Sequence, residues 1–303
     1  MASYTVSVII PAYNEAQSIG AVVAAVRAVG PEFQILVIDD GSADDTAEAA
    51  RAAGAQVHRH PYNIGNGAAV KTGIRNASGD VLVFMDGDGQ HDPADIPSLL
   101  APLPAYDLVV GARTFKDQAS LSRALGNAFY NRFAGYVAKF PIQDLTSGFR
   151  AVKAPVARGL IYLLPNTYSY PTTMTLAVLR SGLSLRYVPI RTRRRQAGKS
   201  SISLAKDGVR FFMIITRICT LFSPFRVFLP VSFAMFMLGL VWYLYTFITQ
   251  GRFTNMSALL LTTSVTIFMI GMVSEQISQM RFERRGQRDE GKRDEGGKER
   301  AEG

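Results

Sequence analysis

Two long stretches without a charged side chain constrain this chain more than any other feature. One runs from Val227 to Ile248 and the other from Met256 to Ser274, joined by the polar loop TQGRFTN. Each meets the ~20-residue length that crosses a bilayer as a helix. Helices in a soluble core rarely stay uncharged all round for this long. The two stretches therefore read as a transmembrane helical hairpin. Pro230 falls near the start of its first helix, where a missing N–H costs little.

Basic residues orient the hairpin. Lys206, Arg210, Arg217 and Arg226 precede the first span, Arg281, Arg284 and Arg285 follow the second, and the connecting loop has Arg252 alone. Both termini and the bulk of the chain are expected on the cytoplasmic side of the cell (inner) membrane, with Glu275 wetted at the boundary. Ser203–Phe222 is densely apolar, with Lys206, Arg210 and Arg217 spaced along one edge. That pattern suits amphipathic helices in the interface plane, with bases near lipid phosphates. From Gly286 the chain is charged and Gly-rich, contains RDEG twice and reads as disordered. The expected organisation is a catalytic domain over 1–200, interfacial helices over 201–224, two spans over 225–280 and a charged tail over 281–303.

The net charge of +9 suggests an anionic partner, and the single cysteine, Cys219, excludes an internal disulfide. Nucleic acid is disfavoured, because the bases cluster beside the spans rather than along a polar groove with aromatics. The N-terminal MASYTVSVIIPAYNE has no basic start and only a short apolar run before Pro11. It reads as a buried first strand, not a secretory signal.

From Tyr4 to about Val110, short β-branched runs alternate with helical patterns. Strands are predicted at Val6–Ile10, Ile35–Ile38, Gln56–His58, Val81–Met85 and Leu108–Val110, and helices at Ser18–Ala28, Asp45–Ala53 and Gly67–Ala77. This alternation specifies an α/β domain with a mostly parallel sheet. Leu121–Phe140 is a further helix candidate and Leu183–Pro189 a further strand; RTRRRQAGKSS reads as a basic loop.

Open α/β sheets bind ligands beyond the carboxyl ends of their strands, and three polar clusters sit there. Asp86-Gly87-Asp88 ends VLVFMD. Two carboxylates spaced by two on an extended chain point the same way and suit Mg2+ or Mn2+, with Gln90 as a possible neutral oxygen ligand. Asp39-Asp40-Gly41-Ser42 offers acceptors for base or ribose groups. In Pro11-Ala12-Tyr13-Asn14-Glu15, Tyr13 can stack on a base. Asn63-Ile64-Gly65-Asn66-Gly67, with Lys71 a turn later, suits an anion-binding loop opening a helix.

SVIIPAYNE, VIDDGSADDT, NIGNGAAVKTG and GDVLVFMDGDGQHDP, in that order over Val6–Pro93, resemble glycosyltransferase family two and its GT-A (nucleotide-diphospho-sugar transferase) fold. GAR at Gly111–Arg113, SRALGNAFYN, DLTSGFRA, RQAGKS and the hairpin extend the likeness to about Met280. These features resemble the dolichyl-phosphate mannose synthase and bacterial polyprenyl-phosphate glycosyltransferase branch. The resemblance implies that Pro11, Tyr13, Glu15, Ile38, Asp40, Asp86, Gly87, Asp88, Arg113 and Lys199 bind a nucleotide sugar. Asp86, Asp88 and Gln90 would hold the metal bridging its diphosphate. Arg113, Arg123 and Asn127 would meet the phosphate of a polyprenyl acceptor, and Arg195 and Lys199 would lie on a loop closing over the donor. Asp88, Arg113, Arg123 and Arg195 are the implied catalytic residues. The branch also implies inversion at the anomeric carbon and possible homo-oligomers.

The chemistry agrees with these residue types. A phosphate monoester has a second pKa of ~6 and is largely dianionic at neutral pH. Such a nucleophile needs charge management and alignment more than a strong base, and arginine supplies both through its planar fork. In two places the chain departs from the family. Ser201 stands where a lysine often follows the serine, with Lys199 preceding it, and Thr172, Thr173 and Thr175 occupy a stretch where many relatives carry an acid. The sugar and base stay open between GDP-mannose and UDP-glucose types. A soluble or different lipid acceptor and a non-catalytic sugar-nucleotide scaffold are the competing readings. A processive synthase would usually carry QxxRW, but the only tryptophan is Trp242, inside a span.

Overall fold

The structure is a computed structural model. It describes residues 4–113, 131, 132, 134–136, 138–167, 169–191 and 224–299, with 281–299 described by backbone alone. The chain divides into two compact units, Met1–Ser203 and Leu204–Gly303.

In the first unit the order is β1 (Val6–Ala12), α1 (Ile19–Val29), β2 (Gln34–Asp39), α2 (Thr46–Ala52), β3 (Gln56–Arg59), α3 (Asn66–Asn76), β4 (Val81–Phe84), α4 (Ile96–Leu100) and β5 (Leu108–Arg113). Then come β6 (Arg150–Lys153), α5 (Ala154–Leu160), α6 (Tyr170–Arg180) and β7 (Leu185–Ile190). The seven strands form one sheet ordered β3-β2-β1-β4-β6-β5-β7. Only β6 runs against its neighbours; the other pairs are parallel.

The apolar runs form strands because both of their faces are covered. Val8, Ile10, Val37 and Val83 pack with Ile19, Val23 and Val26 of α1 and Ile96 and Leu99 of α4 in one core. Ile9, Leu36 and Ile38 alternate with them and are fully buried. α3 packs over β1, so tightly that Gly73 leaves no room for a Cβ beside Ile9. Each such side chain contributes about 1.5–3 kcal/mol on burial. β1, β2 and β4 lie side by side and parallel, so the three polar clusters meet at one edge. The short β6, RAVK, is not expected from its sequence. It carries the fully buried Arg150 and lacks an apolar alternation.

In the second unit α7 (Phe225–Gln250) and α8 (Asn255–Glu299) form the hairpin. Both carry a stretch long and apolar enough to cross a membrane. Small residues set the close approach: Gly239 faces Leu260 and Leu261, and a Cβ on Gly271 would lie 2.7 Å from that of Phe228. The Ser232 hydroxyl donates to the Ser264 carbonyl at 2.8 Å, and Phe225 meets Phe268 edge-on at 5.7 Å.

Two expectations change here. α7 begins at Phe225, so Pro230 lies inside it rather than in its first turn and denies the Arg226 carbonyl its helical donor. The Glu275 carboxylate adds a contact, accepting the Phe225 N–H at 3.2 Å and so capping an N-terminal donor of α7. α8 continues to Glu299, where a disordered tail is expected. Glu, Gln, Lys and Arg are good helix formers, and extending an existing helix avoids the cost of nucleation. Most of the Leu121–Phe140 helix candidate, the interfacial segment Ser203–Phe222 and the end of the tail lie outside the described residues.

Candidate active site

The strand ends enclose a cavity of about 240 Å³, lined by Pro11, Ala12, Tyr13, Glu15, Asp40, Asn63, Gly65, Asn66, Ala69, Asp86, Gly87 and Asp88. All four segments singled out in the first half of the sequence contribute to it.

Side chains at the mouth knit the segments together. Ser42 Oγ accepts the Asn14 N–H and Asn14 Oδ1 accepts the Ala43 N–H, both at 2.9 Å. Thr46 Oγ1 accepts the Glu15 N–H at 2.9 Å. Asn14 itself has φ 56°, a left-handed conformation that asparagine tolerates. The Ser18 hydroxyl, at the start of α1, donates to the Gly87 carbonyl at 2.8 Å and so links the first cluster to the third. Tyr13 projects from this frame 43% exposed, free to cover a flat ligand.

The two aspartates of the second cluster differ in role. Asp39 is fully buried, accepts the Ser42 N–H at 2.9 Å and pairs with Arg59 Nε at 3.1 Å. It shapes the turn. Asp40 reaches the cavity but also holds its wall, accepting the N–H groups of Ile64 at 3.0 Å and Gly65 at 2.8 Å. His60 Nδ1 lies 2.7 Å from Asp40 and its Nε2 2.9 Å from the Thr72 hydroxyl, tying the wall to α3. Gly65, at φ 122°, abuts the Asn166 carbonyl with no room for a side chain. Lys71 hydrogen-bonds Asn166 Oδ1, so it braces the same loop.

Asp86 and Asp88 open onto the cavity. Their oxygens are hard donors, and Mg2+ characteristically takes one or two carboxylates and completes its shell with waters and substrate phosphates. Among the described residues no three His, Cys, Asp or Glu side chains converge into a closed cage. The described pair fits an open site that substrate phosphates could complete. Gln90 does not line the cavity; its backbone N–H donates to Asp88 Oδ1 at 3.1 Å. Ile38 also stays out of it. Strand alternation turns its side chain to the buried α3 side of the sheet.

Sequence reasoning assigned Arg113 but gave no site role to Gly148, His91, Asp144 or Arg150, which gather near Asp86 with it. Gly148 leaves space for the carboxylate: a Cβ there would lie 2.9 Å from Asp86 Oδ2. His91 stacks on Phe149 at 5.1 Å, and its Nδ1 lies 3.8 Å from Asp86 Oδ2 without a hydrogen-bond partner. Burial pushes His91 down to about 4 against the pull of Asp88, so it is neutral at pH 7. Arg113 is clamped by Asp144, with Nε to Oδ2 at 2.7 Å and Nη2 to Oδ1 at 3.0 Å. Burial opposes both charges, yet their mutual hydrogen bonds and attraction raise the arginine and lower the aspartate. Arg150 lies beneath, donating to the carbonyls of Ser147 and Pro171 and to Thr175 Oγ1. Thr172, Thr173 and Thr175 are all buried, so their hydroxyls serve the packing of α6 rather than an open surface. The signal for Asp144, Gly148 and Arg150 is the string DLTSGFR, whose partners are distant in sequence, whereas His91 lies within DGDGQHDP itself. Arg123, Asn127, Arg195 and Lys199 lie outside the described residues.

Comparison with known proteins agrees with this architecture. Residues 7–160 match the Glycosyl transferase family 2 model, and residues 223–280 match the GtrB C-terminal hairpin model. The chain is 32% identical over 210 residues to the undecaprenyl-phosphate mannosyltransferase of Micrococcus luteus, covering 64% of this chain and 86% of that protein. It is 27% identical over 232 residues to the undecaprenyl-phosphate 4-deoxy-4-formamido-L-arabinose transferase of Salmonella paratyphi A, covering 73% and 69%. The fold resembles glucosyl-3-phosphoglycerate synthase from Mycobacterium tuberculosis, solved with Mn2+, uridine-diphosphate and phosphoglyceric acid. That match has a TM-score of 0.56 and 23% identity, and covers 72% of this chain and 78% of the other. The sheet with its strand-end cavity, the matched first half and the matched hairpin together show that this chain is a glycosyltransferase belonging to glycosyltransferase family 2.

Proposed function

We propose that the protein transfers a hexose from a nucleotide sugar, of the GDP-mannose or UDP-glucose type, to a polyprenyl phosphate at the cytoplasmic face of the membrane. The transfer inverts the anomeric carbon and depends on Mg2+ or Mn2+. One observation carries the reading: the cavity joins the Asp86 and Asp88 carboxylates to Tyr13, Glu15 and the Asp40-held loop, in a chain that also carries the apolar hairpin. The Micrococcus and Salmonella relatives, named for undecaprenyl-phosphate acceptors, support the lipid. The Mn2+ and uridine-diphosphate in the structural neighbour support the donor and the ion.

In this reading Tyr13 covers the base, and Pro11, Glu15 and Asp40 shape the nucleoside wall. Asp86 and Asp88 hold the ion, and Gln90 steadies Asp88 through its backbone. When bound, the ion neutralises charge building on the leaving diphosphate. Arg113 engages a substrate phosphate; Arg123 and Asn127 are assigned to the acceptor phosphate, and Arg195 and Lys199 to closing over the donor. The acceptor is already anionic near neutral pH, so these groups mainly align it and exclude water.

The test uses purified full-length protein in detergent with Mn2+ or Mg2+ and a short polyprenyl phosphate. GDP-mannose, UDP-glucose and related donors are offered, and products are read by mass. A glycolipid with one donor and none in EDTA is expected. Nucleotide release with phosphoglycerate but not with the lipid would replace the acceptor. No turnover with any donor, despite nucleotide binding, would overturn the enzymatic reading of the cavity.

A further inference from the structure

Asp144 sits where a general base for this reaction would be sought, beside Arg113 and within the electrostatic reach of the site. Its hydrogen bonds point to another role. Oδ2 accepts from Arg113 Nε at 2.7 Å and from the Arg113 backbone N–H at 3.3 Å. Oδ1 accepts from Arg113 Nη2 at 3.0 Å, from the backbone N–H groups of Thr146 and Ser147 at 3.1 Å each, and from the Thr146 hydroxyl at 3.2 Å. A carboxylate offers about four lone-pair sites, so this one is filled. Its side chain is only 9% exposed.

The turn that carries Asp144 is itself pinned on both sides. Asn131 donates to the Gln143 carbonyl at 2.7 Å and accepts the Leu145 N–H at 3.2 Å. The buried Arg150 guanidinium holds the Ser147 carbonyl. On the other side of the pair, Arg113 Nε and Nη2 are taken by Asp144 and Thr146. That leaves the two N–H groups of Nη1 with no acceptor among the described residues.

We propose that Asp144 is a positioning residue that locks the Arg113 guanidinium with its Nη1 edge presented to a substrate phosphate, and that it takes no proton during transfer. This rests on the reading of Arg113 as a phosphate contact. The geometry explains why an arginine is used. A lysine could match the charge, but it lacks the planar fork that lets one edge be held while the other binds.

The experiment compares Arg113→Ala, Asp144→Asn, the double variant and Thr146→Val in the full-length protein, with lipid phosphate and nucleotide sugar varied separately over pH 5.5 to 9. Nucleotide binding and thermal melting report folding. Asp144→Asn should raise one substrate's KM by about 10- to 100-fold, the scale for a lost charge-assisted hydrogen bond. The same KM should rise in Arg113→Ala, and the double variant should be no worse than Arg113→Ala, because the two side chains act as one unit. The pH–rate profile should keep its shape. Thr146→Val removes one acceptor of Arg113 Nη2 and one donor to Asp144 Oδ1 but leaves the carboxylate and its bond to Arg113 Nε in place, and should raise the same KM by a few-fold. A loss of kcat in Asp144→Asn with unchanged KM and a vanished acid limb would make Asp144 a base and overturn the proposal. Multiplicative losses in the double variant, or an unchanged KM in folded Thr146→Val, would also overturn it. If Arg113→Ala leaves both KM values unchanged, the phosphate-contact reading itself fails; if only Asp144→Asn does so, that reading stands and the positioning role falls.

Discussion

The two units place their large apolar side chains oppositely. In the α/β unit the described large hydrophobics left exposed are Tyr13, Tyr62, Tyr136 and Tyr162, each ending in a hydroxyl. In the hairpin, apart from Trp242 and Tyr245, they have no polar tip: Phe233, Leu238, Val241, Ile248, Leu259, Val265 and Met269 are among them, Ile248 being 81% exposed. Exposed apolar faces this large and continuous mark contact with something other than water. The inward-facing hairpin positions include Ser232, Gly239 and Gly271, the reverse of a soluble core. Polar and charged groups of the first unit, by contrast, are spent on one another: Asp39 on Arg59, Asp40 on the Ile64–Gly65 backbone, Asp144 on Arg113. One unit is organised for charge chemistry in water and the other for lipid.

The largest expected effect separates the two roles. Asp88→Ala removes one of the two cavity carboxylates and should cut sugar transfer by ~10³-fold or more, the scale of losing a preorganised electrostatic contact. The membrane fraction should not change. Near-normal transfer in this variant would remove the metal assignment. The mirror experiment is Val241→Lys, at a residue 64% exposed near the middle of α7. A lysine there costs about 3 kcal/mol in membrane insertion, so less protein should integrate while the solubilised variant still binds nucleotide. Equal loss of nucleotide binding would break the contrast between the units.

These opposite solvents also explain what the sequence disclosed. The hairpin was legible because lipid demands a long uncharged run, and β1, β2 and β4 because a two-sided core demands short β-branched ones. Tyr13, Glu15, Asp40, Asp86 and Asp88 were legible because they end those strands. β6 was not, since RAVK carries no periodicity and owes its place to Arg150 being satisfied by carbonyls 3 and 21 residues away. Asp144 was missed for a related reason: its partner Arg113 is 31 residues distant, and only the folded sheet brings them together. Ile38 and Gln90 show the converse limit. The motif placed them in the right segment, but neither is among the residues lining the cavity: alternation turns Ile38 to the α3 side, and Gln90 meets Asp88 through its backbone N–H.

Gly148→Ala sharpens the picture within the α/β unit. The added methyl would stand 2.9 Å from Asp86 Oδ2 and must displace that carboxylate. Mn2+ affinity, read by calorimetry without substrate, should fall about tenfold, at the lower end of what misaligned ligands cost. Membrane integration should be untouched. Unchanged Mn2+ binding would mean that Asp86 tolerates the shift or does not hold the ion.

The smallest effect tests whether a filled carboxylate in this unit can be free of chemistry. Asp107 lies at the start of β5, level with the beginning of β4 and so at the far end of the sheet from the cavity. It accepts the Ser184 N–H at 2.9 Å and hydroxyl at 2.8 Å, and pairs with Lys153 at 3.0 Å. Burial raises its pKa, but the Ser184 bonds, then the Lys153 bond and charge, outweigh that and leave it below the usual 3.8. The unfolded chain therefore binds the extra proton first, and stability rises with pH across that range. The contribution is complete above about pH 5 and is lost as pH falls through the folded value. Partial exposure keeps it under about 1 kcal/mol. Asp107→Asn should flatten the acid side of the melting profile of the detergent-solubilised protein and leave transfer at neutral pH unchanged. If transfer fell as is expected of Asp144→Asn, the clamp at Arg113 would be only one of many structural ties and would lose its special standing.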